Sequence, residues 1–289
     1  MTAVKFYNGI RSPQIQFGTF RIKTEEDVFN SVTTALNAGY RAFDTASVYR
    51  NHGKIAKTFK QVLPKLNLTR KDIFITSKLA PKDHGIEKSE AAIKNILNDL
   101  DVDYLDLFLI HWPGVQRLDV TDPLNRELRQ ESWRVLEKFY NLGKFKAIGI
   151  SNYTLSHMQE LLSHCQIVPH VIQLELHPHY QQTELVQYCQ QNNIHVQAYS
   201  SLGQAGAESP LYQEDIIKNI AELLSVTPAQ VLLRWGIQKG YTIMPKSVTP
   251  GRIKENFDIN HFKLSSEQMN LIDSLEKGQK YTWNPETIL

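Results

Sequence analysis

The sequence predicts a single (β/α)8 barrel, and three observations carry that expectation. Eight short apolar runs recur along the chain, segments of helical spacing lie between them, and no glycine/serine-rich linker or low-complexity stretch divides the 289 residues. Eight strands each followed by a helix in one uninterrupted unit favour a closed parallel barrel over a doubly wound sheet. The rival fold binds dinucleotides at a G-x-G-x-x-G turn after an early strand, and no such turn occurs here. Residues 1–289 therefore read as one domain.

Taken in order, the chain opens with residues 4–10, where Asn8-Gly9 between short apolar alternations predicts a two-residue hairpin turn ahead of the main fold. Barrel strands are expected at 15–20, 41–46, 73–79, 104–112, 146–152, 171–176, 195–202 and 241–247, compact apolar runs that read as buried strands. Between them Ala91, Ile93, Ile96, Leu97 and Leu100 share one helical face, and so do Trp133, Leu136, Phe139 and Tyr140, with charge opposite. Residues 114–130, charged and holding Pro123, read as a long loop, and the chain after Trp283 as a short C-terminal loop.

Composition narrows the function. With 42% hydrophobic and 21% charged residues and a formal net charge of +2, nothing recruits nucleic acid or an anionic membrane by bulk electrostatics. The N-terminus has no basic region followed by an apolar run, no stretch reaches the roughly 18 apolar residues that span a bilayer, and no exposed apolar helix suggests an oligomer interface. A cytoplasmic monomer acting on small molecules is the expectation. Cys165 and Cys189 are too few for a disulfide framework, and the acceptor patterns Asn67-Leu68-Thr69 and Asn152-Tyr153-Thr154 would stay unglycosylated in such a compartment.

In a barrel, catalytic groups project from the C-terminal ends of several strands. The second strand ends Phe43-Asp44-Thr45-Ala46 with Tyr49 in the next loop, the third ends Thr76-Ser77-Lys78, and the fourth ends Ile110-His111-Trp112-Pro113. Singly, each is read as a helix cap, a rim lysine or a satisfied histidine. Together they place an acid, a cation and an imidazole around one mouth. After the eighth strand, Lys246-Ser247-Val248-Thr249-Pro250-Gly251-Arg252 sets Thr249 at an N-cap and Pro250 at the first helical position. A helix start beside two cations suits a phosphate monoester, held by Lys246, Ser247 and Arg252.

Asp44-Thr45-Ala46 with Tyr49, Lys78 and His111-Trp112-Pro113 resemble the signatures of the aldo-keto reductase superfamily in order and spacing. The similarity runs from Gly18 to the last residues, through Gly149-Ile150-Ser151-Asn152, Gln173-Leu174-Glu175, Ala198-Tyr199-Ser200 and Met244-Pro245-Lys246-Ser247. The resemblance implies carbonyl reduction with NADPH. Tyr49 would be the proton donor, Lys78 would lower its pKa from about 10 by roughly 1 to 3 units, Asp44 would keep Lys78 protonated, and His111 would donate to the carbonyl oxygen.

The cofactor contacts that the resemblance implies are Gly18, Thr19 and Asp44, with Ser151, Asn152 and Gln173 at the nicotinamide carboxamide, Tyr199 stacked on its ring, and Ser200 and Leu202 along the pyrophosphate. Lys246, Ser247 and Arg252 would meet the 2′-phosphate, Val248 is a further contact, and Glu255 and Asn256 would meet the adenine. Phe20, Val48 and Trp112, with Tyr49 and His111, would line the substrate pocket. Phe20 stands where many relatives carry tryptophan, and with the short C-terminal loop it implies an open pocket. Two other readings are a catalytically weak NADPH-binding sensor or structural protein on the same fold, and a metal-dependent hydrolase built on His177 and His179. The second lacks further ligands, so no metal is expected.

Overall fold

The computed structural model describes residues 2–203 and 209–289. Its first element is a hairpin of β1 (Ala3–Lys5) and β2 (Arg11–Pro13), antiparallel with Lys5 opposite Arg11. The expected two-residue turn is corrected to a longer one. The Gly9 N–H bonds Phe6 O at 2.9 Å, and the Phe6 N–H bonds Ile10 O at 2.9 Å. Gly9 takes φ +90°, the left-handed residue that closes a three-residue loop.

Eight parallel strands follow: β3 (Phe17–Gly18), β4 (Ala42–Asp44), β5 (Phe74–Leu79), β6 (Leu107–Ile110), β7 (Ile148–Ser151), β8 (Val171–Glu175), β9 (His195–Tyr199) and β10 (Thr242–Ile243). Each pairs with the next in chain order, the pattern that successive strand-helix-strand crossovers produce. Closure comes from β10 meeting the start of the first barrel strand. Ile15 bridges Ile243 in parallel, and Gln16 N–H and Ile243 N–H bond Ile243 O and Gln14 O, each at 2.9 Å. This is a (β/α)8 barrel with an N-terminal hairpin. All eight expected runs hold a barrel strand, none longer than the run that predicts it.

The helices are α1 (Glu25–Ala38), α2 (His52–Val62), α3 (Ile86–Asp99), α4 (Leu124–Asn141), α5 (Leu155–His164), α6 (Thr183–Gln191), α7 (Pro210–Gln213), α8 (Asp215–Leu224), α9 (Pro228–Gln238), α10 (Pro250–Phe257) and α11 (Ser266–Asp273). Side-chain caps start several of them: Thr24 accepts from the Asp27 N–H, and Thr154, Thr227 and Ser265 form capping boxes. Two expectations change here. The long loop ends at Pro123, since residues 124–130 already belong to α4, and Ala91 faces solvent while Ile93, Ile96 and Leu97 carry the buried face of α3.

Two cores result. The larger fills the layer between strands and helices, with Trp133 and Trp235 fully buried. The smaller plugs the lower barrel: Phe6 from the hairpin packs with Ala42, Phe74, Leu107, Leu109, Ala147 and Val171. The N-terminal end is thereby stoppered, and polar groups gather at the opposite end. Among the described residues no single helix is long and apolar enough to cross a membrane.

Candidate active site

Asp44 is the last residue of β4, Lys78 lies one residue inside the end of β5, and His111 directly follows β6. Because β4 and β5 are paired neighbours, the carboxylate and the ammonium meet. Lys78 Nζ donates to Asp44 Oδ1 at 2.5 Å and to Thr45 O at 3.1 Å. Lys78 is 0% exposed, a burial that an unpaired ammonium would not tolerate. The other Asp44 oxygen accepts from Gln173 Nε2 on β8 at 2.9 Å, across the barrel. Tyr49 ends a 3₁₀ turn, Ser47–Tyr49, that leads out of β4. Its ring centroid lies 5.3 Å from Lys78 Nζ and 5.8 Å from the His111 ring, edge-on at 77°. The four expected residues thus share one pit.

Their electrostatics differ from the expectation in one respect. Burial, together with the Asp44 carboxylate, pushes the Tyr49 hydroxyl well above its ordinary value, where lowering by Lys78 is expected. The reason is that Asp44 already compensates the Lys78 charge, while desolvation disfavours the phenolate. Burial also draws Lys78 down, against the pull of Asp44. His111 is lowered to about 3 by burial and then by Lys78, so it is neutral. Its Nδ1 is buried with no partner among the described residues, and a neutral imidazole keeps one N–H to donate. The free site therefore presents two neutral donors beside a buried ion pair.

A second layer fixes these groups. Asn51, 1% exposed, accepts from Thr45 Oγ1 at 2.8 Å and donates to Thr19 O and Ile22 O at 3.0 and 3.1 Å. Thr19 Oγ1 in turn donates to Asp44 O at 2.9 Å. This clasp between the ends of β3 and β4 was not singled out from the sequence. Its only local signal is an amide residue two positions after Tyr49.

Of the expected cofactor residues, Gln173 lies within β8 and Tyr199 ends β9. Ser151 ends β7, and Asn152, with φ +63°, takes the left-handed conformation that asparagine tolerates. Asn152 Nδ2 donates to His111 O at 2.9 Å, and its Oδ1 accepts from the Tyr199 hydroxyl at 2.6 Å. Ser200 starts a turn closed by Gly203 N–H to Ser200 O at 2.7 Å, and Leu202 packs on the core. A Cβ at Gly18 would stand 2.7 Å from Met244 O, so only glycine lets this strand end pass the segment leading to Lys246. Thr249 and Pro250 begin α10 as expected, but the Thr249 side chain caps nothing. Ser247 Oγ accepts the Thr249 N–H at 3.0 Å instead. Val248 and Arg252 are exposed, Glu255 accepts from Thr227 Oγ1 at 2.8 Å, and Asn256 is buried. Partial burial and the nearby Arg21 cation lower Lys246. Arg21, passed over in the sequence, also stands over the Phe20 ring at 5.1 Å. A crowd of cations beside a helix start fits a phosphate group.

Phe20 and Val48, two of the expected substrate contacts, are 46% and 45% exposed. Phe20 leans on Tyr49 with centroids 5.1 Å apart. The short C-terminal segment nevertheless returns to the mouth: Trp283 stands perpendicular to Trp112 at 6.1 Å. His84 Nε2 holds the Trp112 carbonyl at 2.9 Å. The His177 and His179 rings stand edge to face, their planes at 85°, and bond separate partners: His177 to Glu175, His179 to Tyr281 and Glu214. Among the described residues no group of three or more His, Cys, Asp or Glu side chains is placed to hold a metal.

A sequence model described as the Aldo/keto reductase family matches residues 14–277. The chain is 38% identical to the glyoxal reductase of Bacillus subtilis (strain 168), over 99% of this chain and 97% of that protein. It is 36% identical to the 9,11-endoperoxide prostaglandin H2 reductase of Trypanosoma cruzi (strain CL Brener), covering 98% and 94%. Among solved structures, an aldo-keto reductase from a Medee basin deep-sea metagenome library superposes with a TM-score of 0.88 at 36% identity, covering 97% of each chain. By the matched signature, by whole-length similarity and by the barrel itself, this chain belongs to the aldo/keto reductase family.

Proposed function

We propose that this protein, a monomer of a reducing cytoplasmic compartment, reduces aldehydes and ketones to alcohols with NADPH. The observation that carries the reading is the pair of neutral donors, Tyr49 and His111, held against the buried Lys78–Asp44 ion pair at the open mouth of the barrel. Cys165 and Cys189 are both free, in keeping with the compartment.

Lys246, Ser247 and Arg252 would hold the 2′-phosphate, with Val248 beside them and Glu255 and Asn256 toward the adenine. Ser151, Asn152 and Gln173 would hold the carboxamide and Tyr199 the face of the ring, with Gly18 and Thr19 opposite. NADPH when bound supplies the hydride, and the protein fixes where it is delivered. As the carbonyl carbon is reduced, negative charge grows on its oxygen, and preorganised donors stabilise that charge. The His111 ring N–H orients the carbonyl through a hydrogen bond. Tyr49 gives up its hydroxyl proton to the oxygen, since an alkoxide is a stronger base than a phenolate, and later regains a proton from water. The negative charge left on Tyr49 faces the Lys78 ammonium, which Asp44 keeps protonated and in place.

Phe20, Val48, Trp112 and Trp283 offer aromatic and apolar contact without further charge, so the substrate class is apolar or small carbonyl compounds, with α-dicarbonyls the first to try. The test is a calorimetric titration with NADPH and NADH followed by turnover on aldehydes and ketones, glyoxal included. Tight NADPH binding with consumption of the reduced nicotinamide supports the reading. Binding without turnover on any carbonyl would overturn the enzymatic half of it, and absence of binding would overturn the whole.

A further inference from the structure

Three residues of the C-terminal segment converge on one carboxylate outside the catalytic four. Glu175, the last residue of β8, is 1% exposed. Its Oε1 accepts from the Tyr281 N–H at 2.5 Å and from His177 Nε2 at 3.1 Å. Its Oε2 accepts from Lys280 Nζ at 2.9 Å, from the Thr282 N–H at 3.2 Å and from the Thr282 hydroxyl. Burial alone would raise this carboxyl, yet the gathered donors hold it down at about 2. It is an anchor that stays charged and fixes Thr282 in place.

Thr282 Oγ1 then lies 3.0 Å from the Tyr199 hydroxyl, whose other neighbour is Asn152 Oδ1 at 2.6 Å. Counting protons sets the directions. A hydroxyl has one proton, and that of Thr282 goes to the carboxylate, the stronger acceptor. Thr282 can therefore only accept from Tyr199. Tyr199 also has one proton, and two acceptors within reach. Burial raises the Tyr199 hydroxyl above its ordinary value, so that proton stays on the phenol and has to be donated somewhere.

This inference rests on the reading that Asn152 holds the carboxamide of NADPH. We propose that Thr282, fixed by Glu175, is a positioning residue for the cofactor site: it takes the Tyr199 hydroxyl proton when an N–H of the carboxamide claims Asn152 Oδ1. In the free protein Tyr199 satisfies Asn152. A ligand that displaces it would leave the phenol proton unmatched, and the C-terminal segment supplies the second acceptor. The same chain reaches His111 through the Asn152 Nδ2 bond to His111 O, so the segment helps set the loop that carries the imidazole.

The test is NADPH affinity by calorimetry in a double-mutant cycle. Thr282→Val keeps the shape and removes the acceptor, and it should weaken NADPH about fivefold, as expected for one net hydrogen bond. Thr282→Ser should restore affinity to within about twofold of the native protein. In a Tyr199→Phe background, which has no proton to hand over, Thr282→Val should cost nothing further. Native affinity in Thr282→Val, or an equal loss in the Tyr199→Phe background, would overturn the proposal. Failure of the unaltered protein to bind NADPH would overturn the cofactor reading itself, and this proposal with it, before any variant is made.

Discussion

Lys78 Nζ lies 2.5 Å from Asp44 Oδ1, and the lysine side chain is wholly shielded from solvent. A buried pair of this kind owes its stability to mutual compensation, so removing one partner exposes the desolvation cost of the other. Asp44→Asn should lower the free energy of unfolding by about 3–5 kcal/mol. Asp44→Asn/Lys78→Met, with no buried charge, should regain most of that loss while remaining inactive. Urea unfolding of the three proteins checks this, and an Asp44→Asn protein as stable as the native one would show that the pair does not hold the fold.

Tyr49 is different in kind. Its hydroxyl has no protein partner among the described residues, so Tyr49→Phe should change stability by no more than about 0.5 kcal/mol. Turnover should fall about a hundredfold or more, with NADPH affinity unchanged. Retained turnover would remove Tyr49 from the role of proton donor.

If Lys246 and Arg252 read the 2′-phosphate, Lys246→Met should weaken NADPH by about ten- to a hundredfold, the range for one charged hydrogen bond, and leave NADH nearly untouched. Calorimetry with the two cofactors decides it. An equal loss for both would mean that the cation acts on something the two share.

His52, His84, His157 and His170 are buried, and burial lowers each of them from 6.5 to about 4. The unfolded chain takes up these protons below about pH 6.5 and the native chain does not, so their contribution is intact above that pH and is lost as pH falls toward 4. Each proton taken up on unfolding steepens the loss by about 1.4 kcal/mol per pH unit. The thermal midpoint should be flat from pH 8 to 7 and drop steeply from pH 6 to 4.5. A midpoint unchanged at pH 5 would refute this account.

Much of the fold was legible because burial writes itself locally. Strands enclosed between a barrel interior and a ring of helices are rich in apolar residues, and each of the eight runs holds one, although Gln16, Thr76, Lys78, Gln173 and Gln197 are buried among them. The errors fall where longer-range contacts decide. Asn8-Gly9 has the chemistry of a tight turn, but Gly9 serves in a longer one. Pro123 reads as loop, yet it stands at the N-cap of α4. In the site, Asp44, Lys78 and His111 were visible as polar groups at strand ends. The direction of the Tyr49 shift was not, because it depends on how completely Asp44 compensates Lys78. Glu175 and Thr282 are 107 residues apart, and nothing local to either foretells their bond.

The hairpin sets Phe6 beneath the strands, against Ala42, Phe74, Leu107, Leu109, Ala147 and Val171. A barrel packed inside and sealed below leaves the pit of polar side chains a single approach, from the end where the strands finish. Residues far from the catalytic four thus decide from which side they can be reached.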